Sequence, residues 1–198
     1  MTFDEELELH TRWNASLGKD GALLRHPDLD LAGVDLSNRS LSGAEIPGTN
    51  LDGAHLAGVD LGMCNLASST FRRADLTGAM LTKANLDYGT LVEARLRGAK
   101  LFRTSLASSD LTQADLEQAD LRMADLSDAV LVDTNLRGAM LESTTFAGAT
   151  LTGVNFEGAR LRGALGMETA IINDIWVGPT PSDHLEGMAA RDWLLQNI

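Results

Sequence analysis

From Leu31 to Leu161 a large apolar residue stands at every fifth position without a break: 27 positions, of which 23 are Leu and the others Ile46, Phe71, Phe146 and Phe156. Two residues before each, 25 of the 27 positions carry Ala, Gly, Ser, Thr, Cys or Val, the exceptions being Leu29 and Arg39. The residue in between is Asp or Asn in 13 of the 27. Five helical steps of about 100° would smear these leucines around a helix, and five strand steps would flip them between faces. The chain must therefore turn at regular intervals. A corner after each five residues lets the large residue and the small one two before it point inward, with the other three positions outward. Twelve Gly residues lie two after the large position, Gly33, Gly53, Gly78 and Gly158 among them, and suit corners that need a positive φ.

The stretch "ADLTGAMLTKANLDYGTLVEARLRGAKL" resembles the pentapeptide-repeat family, whose motif is A(D/N)LXX, and the likeness covers residues 31 to 161, about two thirds of the chain. The resemblance implies an all-β fold: a right-handed quadrilateral β-helix, a solenoid with four repeats per coil. Twenty residues per coil then give about seven coils and a rod of roughly 30–35 Å at about 4.8 Å per stacked strand.

A stack of coils exposes an unpaired edge at each end. Thr2 and Glu5 form a candidate capping box, and Phe3, Leu7, His10 and Trp13 recur at helical spacing before a stop at Leu17 and Gly18. An N-terminal capping helix is expected within residues 1–20, followed by the β-helix over 21–163. The repeat then decays, although Ile171 and Trp176 stay in register, and a degenerate final coil is expected over 164–179. Residues 180–198 read as a C-terminal helix with Leu185, Met188, Ala189 and Trp193 roughly on one face. That face is open to two uses: a cap for the last coil, or a homodimer through the C-terminal end, as the resemblance to topoisomerase-binding members implies. Leu185, Met188, Trp193 and Leu194 are its candidate residues.

Composition and charge narrow the function. Aromatic residues make up 5%, so the core rests on many small and medium side chains. A net charge of −12 argues against direct nucleic-acid binding, which needs a basic face. The opening "MTFDEELELH" lacks a signal-peptide pattern and no run approaches the roughly 20 apolar residues of a membrane span, so a soluble, cytoplasmic protein with no membrane partner is expected. His10, His26, His55 and His184 have no ligand spacing, Cys64 falls on a small inward position, and no GxSxG, P-loop or GxGxxG motif is present. No catalysis, metal or cofactor is expected.

With residues 20 apart stacked, two faces stand out. One carries Met63, Met80, Phe102, Met123 and Met140 among Lys83, Lys100, Arg103, Arg122, Arg160 and Arg162, the composition of a protein contact surface. The adjacent face has no Lys or Arg between Glu45 and Gly148 and presents Glu45, Asp87, Tyr88, Asp125 and Asp128. The resemblance implies a use for such a face, mimicry of DNA toward a DNA gyrase or topoisomerase that confers resistance to quinolones. Residues 30 to 163 hold 17 acidic and 12 basic side chains, so most of the −12 lies outside the repeats. A non-enzymatic scaffold that offers a rigid surface to a protein partner is the leading expectation; DNA mimicry and a purely structural module are the alternatives. Asp110, Asp115, Asp120 and Asp125 fall on four different faces, with Arg95 stacked on Asp115 and Lys100 on Asp120 as expected ion pairs.

Overall fold

Backbone pairing follows the five-residue period without exception through the repeats. Parallel bridges run from Arg25↔Glu45 to Thr145↔Leu165, each joining a residue to the one 20 further on. One circuit of the chain therefore takes 20 residues and passes four bridge columns. The computed structural model describes residues 2–198, and in element order it places α1 (Phe3–Ala15) before the coils. The bridges lengthen into strands only near the end, as β1 (Val130–Val132), β2 (Thr150–Asn155) and β3 (Ile171–Trp176), followed by β4 (His184–Glu186) and α2 (Gly187–Asn197). The sheet order is β1-β2-β3-β4, parallel except for the antiparallel β3–β4 pair.

The large residues fill the centre. Leu56, Leu76, Leu96, Leu116 and Leu136 are fully buried along one column, and Phe71, Phe146 and Phe156 are the largest side chains inside. Ala and its small substitutes line the neighbouring ladder, where several carry a polar atom into the core. Thr104 Oγ1 donates to Leu81 O at 2.7 Å, Thr144 Oγ1 to Leu121 O at 2.7 Å and Thr134 Oγ1 to Leu111 O at 2.9 Å, so each buried hydroxyl has an acceptor.

Every corner shares one geometry. At 24 of the 27 large residues the N–H three further on donates back to that residue's carbonyl, as Val34 does to Leu31 at 3.2 Å, closing a four-residue turn; Thr49 N turns instead to Ser69 Oγ at 3.1 Å. At the third turn residue φ lies between 53° and 78° at all 27 positions, while the second is not in this region, the type II pattern. Twelve of these are the predicted glycines; at the other corners Asn38, Met63, Lys83, Tyr88, Glu93, Arg103 and others adopt the same left-handed conformation. All twelve glycines thus stand at positive-φ corners as expected, and the other corners hold non-glycine residues because coil-to-coil hydrogen bonding over-determines a conformation that costs them about 1–2 kcal/mol.

The Asp or Asn column has a backbone task. Within a repeat, four of the five N–H groups donate to main-chain carbonyls: the large residue's N–H to the next coil (Leu31 to Asn50 O, 2.8 Å), the corner's to the next coil (Gly33 to Asp52 O, 2.9 Å), the small residue's within the turn, and the bridge residue's to the previous coil (Asn50 to Leu29 O, 2.8 Å). The N–H just after the large residue has no such acceptor. At all 13 repeats with Asp or Asn it donates to that side chain's Oδ1, at 2.9–3.3 Å. Where Thr70 or Ser105 replaces it, a carboxylate of the previous coil takes over: Asp52 accepts from Arg72 N at 2.8 Å and Asp87 from Ala107 N at 3.0 Å.

At the N-terminal end, Thr2 and Glu5 form the predicted capping box. Leu7 and His10 of α1 are buried against the first coil, where His10 Nδ1 accepts from Leu24 N at 3.1 Å and Asn14 Nδ2 donates to Ser42 O at 2.9 Å. At the other end the structure corrects three expectations. Ile171 and Trp176 are not in register: Thr150 pairs with Ile171 and Asn155 with Trp176, 21 residues apart. The extra residue enters at the turn beginning with Gly166, whose φ of 79° and tight approach to Ala147 leave no room for a side chain. Met167 is buried in its stead, and Ile171 points out. The predicted helix over 180–198 begins only at Gly187; Leu185 lies on β4, paired with Ile175, because Pro181 opens a 3-10 turn that leads into a strand. The inward residues of α2 are Ala190 and Leu194, not Met188 and Ala189; Met188 is 81% exposed and Trp193 is half-buried.

The side-chain acceptor role yields a direct test. Asp110 accepts from Thr112 N at 3.0 Å. Asp110→Ala is expected to lower stability in urea by about 0.5–1.5 kcal/mol, the net worth of a hydrogen bond. Asp110→Asn keeps the carbonyl oxygen and is expected to stay within a few tenths of a kcal/mol of the parent, which separates acceptor from charge.

Candidate functional site

The bridge Asp60↔Met80↔Lys100↔Asp120↔Met140↔Arg160 fixes the middle of the methionine and arginine face. Beside it runs a corner column, in which Met63 N donates to Thr82 O, Lys83 N to Phe102 O, Arg103 N to Arg122 O and Met123 N to Glu142 O. These bonds bring the predicted partner-face residues onto consecutive coils. Met63 is 62% exposed, Met80 44% and Met123 46%; Met140 is half-buried.

Phe102 is the centre of this face. Arg103 lies over its ring with the guanidinium carbon 5.2 Å from the centroid, and Arg122 of the next coil lies at 5.8 Å. Arg122 is itself held by Asp120 in a two-point contact, Nε to Oδ1 at 2.8 Å and Nη2 to Oδ2 at 2.7 Å. The Asp120 side chain is only 9% exposed, and the Arg122 hydrogen bond depresses its pKa below the ordinary aspartate value. In return Asp120 raises that of Arg122. Glu142, next in the same column, has a buried Oε2 with no hydrogen-bond partner. The sequence reading missed both Glu142 and the double stacking on Phe102; the signal is the column 102, 122, 142, 162, which reads Phe, Arg, Glu, Arg.

Four cations elsewhere on the coils are held in cross-coil pairs, Arg25 with Glu45 at 3.0 Å, Arg73 with Glu93 at 2.8 Å, Arg97 with Glu117 at 3.0 Å and Arg137 with Glu157 at 3.3 Å, while Arg39, Arg72 and Arg95 make none among the described residues. On the methionine and arginine face only Arg122 is paired. Among the described residues, Lys83, Lys100, Arg103, Arg160 and Arg162 make no ion pair. The expected pairs Arg95–Asp115 and Lys100–Asp120 do not form. Asp115 instead lies 3.7 Å from Arg97 of the previous coil, and Asp120 takes Arg122, two residues along its own coil, in a two-point contact.

The acidic face is less available than its sequence implies. Glu45 is paired with Arg25, Asp87 accepts from Ser105 Oγ and Ala107 N, and Asp125 accepts from Ser127 N at 2.9 Å and from the same residue's hydroxyl. Tyr88 and Asp128 sit at left-handed corners and point outward, Tyr88 being 68% exposed. At the C-terminal end Arg191 ties α2 down by donating to Glu168 O at 3.1 Å and Ala170 O at 2.9 Å, and His184 meets Asp174 at 2.7 Å while stacking on Trp176.

Cys64 is buried on the small ladder, its Sγ donating to Leu41 O at 3.0 Å, and burial pushes the thiol up to about 12, far from a nucleophile's range. Among the described residues no group of His, Cys, Asp and Glu is arranged to hold a metal ion, and no helix is long and apolar enough to cross a membrane.

A family model described as pentapeptide repeats, in 8 copies, matches residues 30–66, 49–87, 60–98, 99–138 and 129–165. No curated protein matches the sequence. Solved structures that resemble it include HetL, a pentapeptide repeat protein involved in heterocyst differentiation regulation in the cyanobacterium Nostoc, at 23% identity over 84% of this chain and 94% of that one, with a TM-score of 0.34. A pentapeptide repeat protein of the Arabidopsis thaliana thylakoid lumen shows 26% identity over 86% and 90%, with a TM-score of 0.40. The trypsin-treated form of QnrB1, a plasmid-mediated fluoroquinolone resistance protein, shows 17% identity over 78% and 80%, with a TM-score of 0.48.

The Arg122–Asp120 contact predicts an acid signature. A depressed folded-state pKa contributes stability that is present above the unfolded value of 3.8 and is lost as pH falls through the folded value. Arg122→Gln is expected to raise the Asp120 pKa by carbon-detected NMR titration. Its stability deficit relative to the parent should be full above about pH 4 and shrink in stronger acid.

Proposed function

The chain belongs to the pentapeptide-repeat family, and from that premise we propose that it is a non-catalytic scaffold whose methionine and arginine face binds a protein partner. In this reading the stack is a right-handed β-helix of about seven coils, closed at its two ends by α1 and α2 so that neither edge is left to pair with another chain. The rigid coil ladder holds Phe102, Arg103 and Arg122 in a fixed relation, so little side-chain order is lost when a partner docks. The observation that carries the proposal is the clustering of unpaired cations on one face: Lys83, Lys100, Arg103, Arg160 and Arg162 stand together beside exposed Met63, Met80 and Met123, whereas Arg25, Arg73, Arg97 and Arg137 on other faces are neutralised across coils. Arg and Met are enriched where proteins meet, and Met adapts to the shape presented to it.

Mimicry of DNA toward a gyrase or topoisomerase is supported less well. That face carries few carboxylates along its length and the charge of Glu45 is offset by Arg25, which leaves a thin negative field there.

Lys83→Glu with Arg103→Glu is expected to reduce capture of the partner from the source cell extract by at least about tenfold with an unchanged circular dichroism spectrum. Both sites tolerate Glu, since Glu93 occupies the equivalent corner. Retained capture discards the face. In a supercoiling assay the protein at micromolar concentration is expected to leave gyrase unaffected with or without a quinolone; inhibition or protection would transfer the function to the acidic face.

A further inference from the structure

Unpaired cations on the methionine and arginine face form two groups along the stacking direction, Lys83, Lys100 and Arg103 on adjacent coils and Arg160 with Arg162 in one repeat three coils beyond Arg103. Lys83 and Arg103 occupy one corner column on adjacent coils, and Arg160 lies on the bridge column that carries Met140. Adjacent coils are about 4.8 Å apart, the separation of neighbouring strands. That rise is close to the roughly 5–6 Å between side chains at i and i+3 or i+4 on a helix. It is well short of the roughly 6.6 Å between same-face residues of a strand. From the coil of Lys83 to that of Arg162 is four steps, about 19 Å, the length of about 13 helical residues.

We propose that this face binds an acidic amphipathic helix of a partner protein, laid along the stacking direction. Its carboxylates at i and i+3 or i+4 would meet Lys83 and Arg103, others two to three turns further along, near i+11 and i+14, would meet Arg160 and Arg162, and its apolar stripe would lie on Met80, Phe102 and Met123. The inference rests on the scaffold reading above and adds the chemistry of the partner. Charge complementarity selects it: the protein carries −12 overall, so an acidic helix is repelled by the other faces and steered to this one. Asp60, Asp120 and Glu142 also stand on this face, so a helix must place its carboxylates opposite the unpaired cations alone, a discontinuous pattern that the unbroken charge of a phosphate backbone does not match. The acidic helix of a second copy is a poorer occupant too, since α1 already buries Leu7 and His10 in its own first coil.

The test is fluorescence anisotropy of the full-length protein with a labelled helical peptide of about 16 residues, Glu at i, i+4, i+11 and i+14 beside a Leu stripe. Saturable binding is expected, weakened by raising the salt from about 0.05 to 0.5 M. A scrambled peptide of identical composition should bind at least about tenfold more weakly, and so should the designed peptide with Lys83→Glu/Arg103→Glu. Lys83→Gln/Arg103→Gln gives the same loss without charge reversal and guards against a misfolded variant. The proposal is overturned if the scrambled peptide binds equally, if both variants bind like the parent, if a labelled DNA duplex binds more tightly than the peptide, or if sedimentation shows that self-association occupies this face. Should the peptide fail while capture of the partner still depends on Lys83 and Arg103, the acidic helix falls and the scaffold reading stands.

Discussion

One backbone N–H in every five decides how this chain is written. Four are satisfied by the geometry of stacked coils whatever the side chains are. The fifth, one residue beyond each buried leucine, points along the outer surface with no carbonyl to receive it. An aspartate or asparagine two residues earlier reaches it through a short, stiff side chain, as Asp110 does for Thr112 and Asn135 for Arg137. The aspartates spread along the sequence are thus local acceptors, and a cross-coil carboxylate such as Asp52 replaces them where the column lapses. The requirement is for an oxygen, not for a charge, which is why Asp and Asn alternate freely.

The interior follows a second rule. A leucine column and a small-residue column leave little space for variation, and a Thr or Cys in the small column gives its proton to a carbonyl of its own or the neighbouring turn. Cys64 bonded to Leu41 O and Thr104 bonded to Leu81 O are the same solution in sulfur and oxygen. A hydroxyl without that carbonyl would be a buried unsatisfied group, and such a group costs more than the packing returns. Outside the core the rule lapses, and there the chain is free to distribute Met, Arg and Glu.

The inward ladders were legible in the sequence because a strict period leaves one way to bury every leucine. The capping box at Thr2 and Glu5 was legible because its donors and acceptors lie within four residues. The C-terminal end was not: a single residue inserted near Gly166 shifts the register of Ile171, and the pairing of Leu185 with Ile175 depends on a strand ten residues away. The two outward faces could be assembled on paper from residues 20 apart, as Met80, Lys100 and Met140 were. What could not be read was which charges would meet. Arg73 and Glu93 meet as stacked neighbours, whereas Asp120 leaves the stacked Lys100 for Arg122 two residues along, and only the side-chain geometry separates the two outcomes.

Twenty residues per circuit and four columns per circuit have an evolutionary consequence. Insertion of five residues anywhere among the repeats would preserve both interior ladders and every backbone bond downstream, yet it would rotate all later outward residues by a quarter turn. Such a change leaves the protein as stable as before and dismantles any composite surface that spans the insertion point. Gain or loss of a whole circuit does the reverse, lengthening or shortening the molecule while keeping each face aligned. A surface built from four or more consecutive coils, like the one around Phe102, therefore ties the repeat number to multiples of four within it, and the unbroken phase from Leu81 to Leu161 is what such a surface requires.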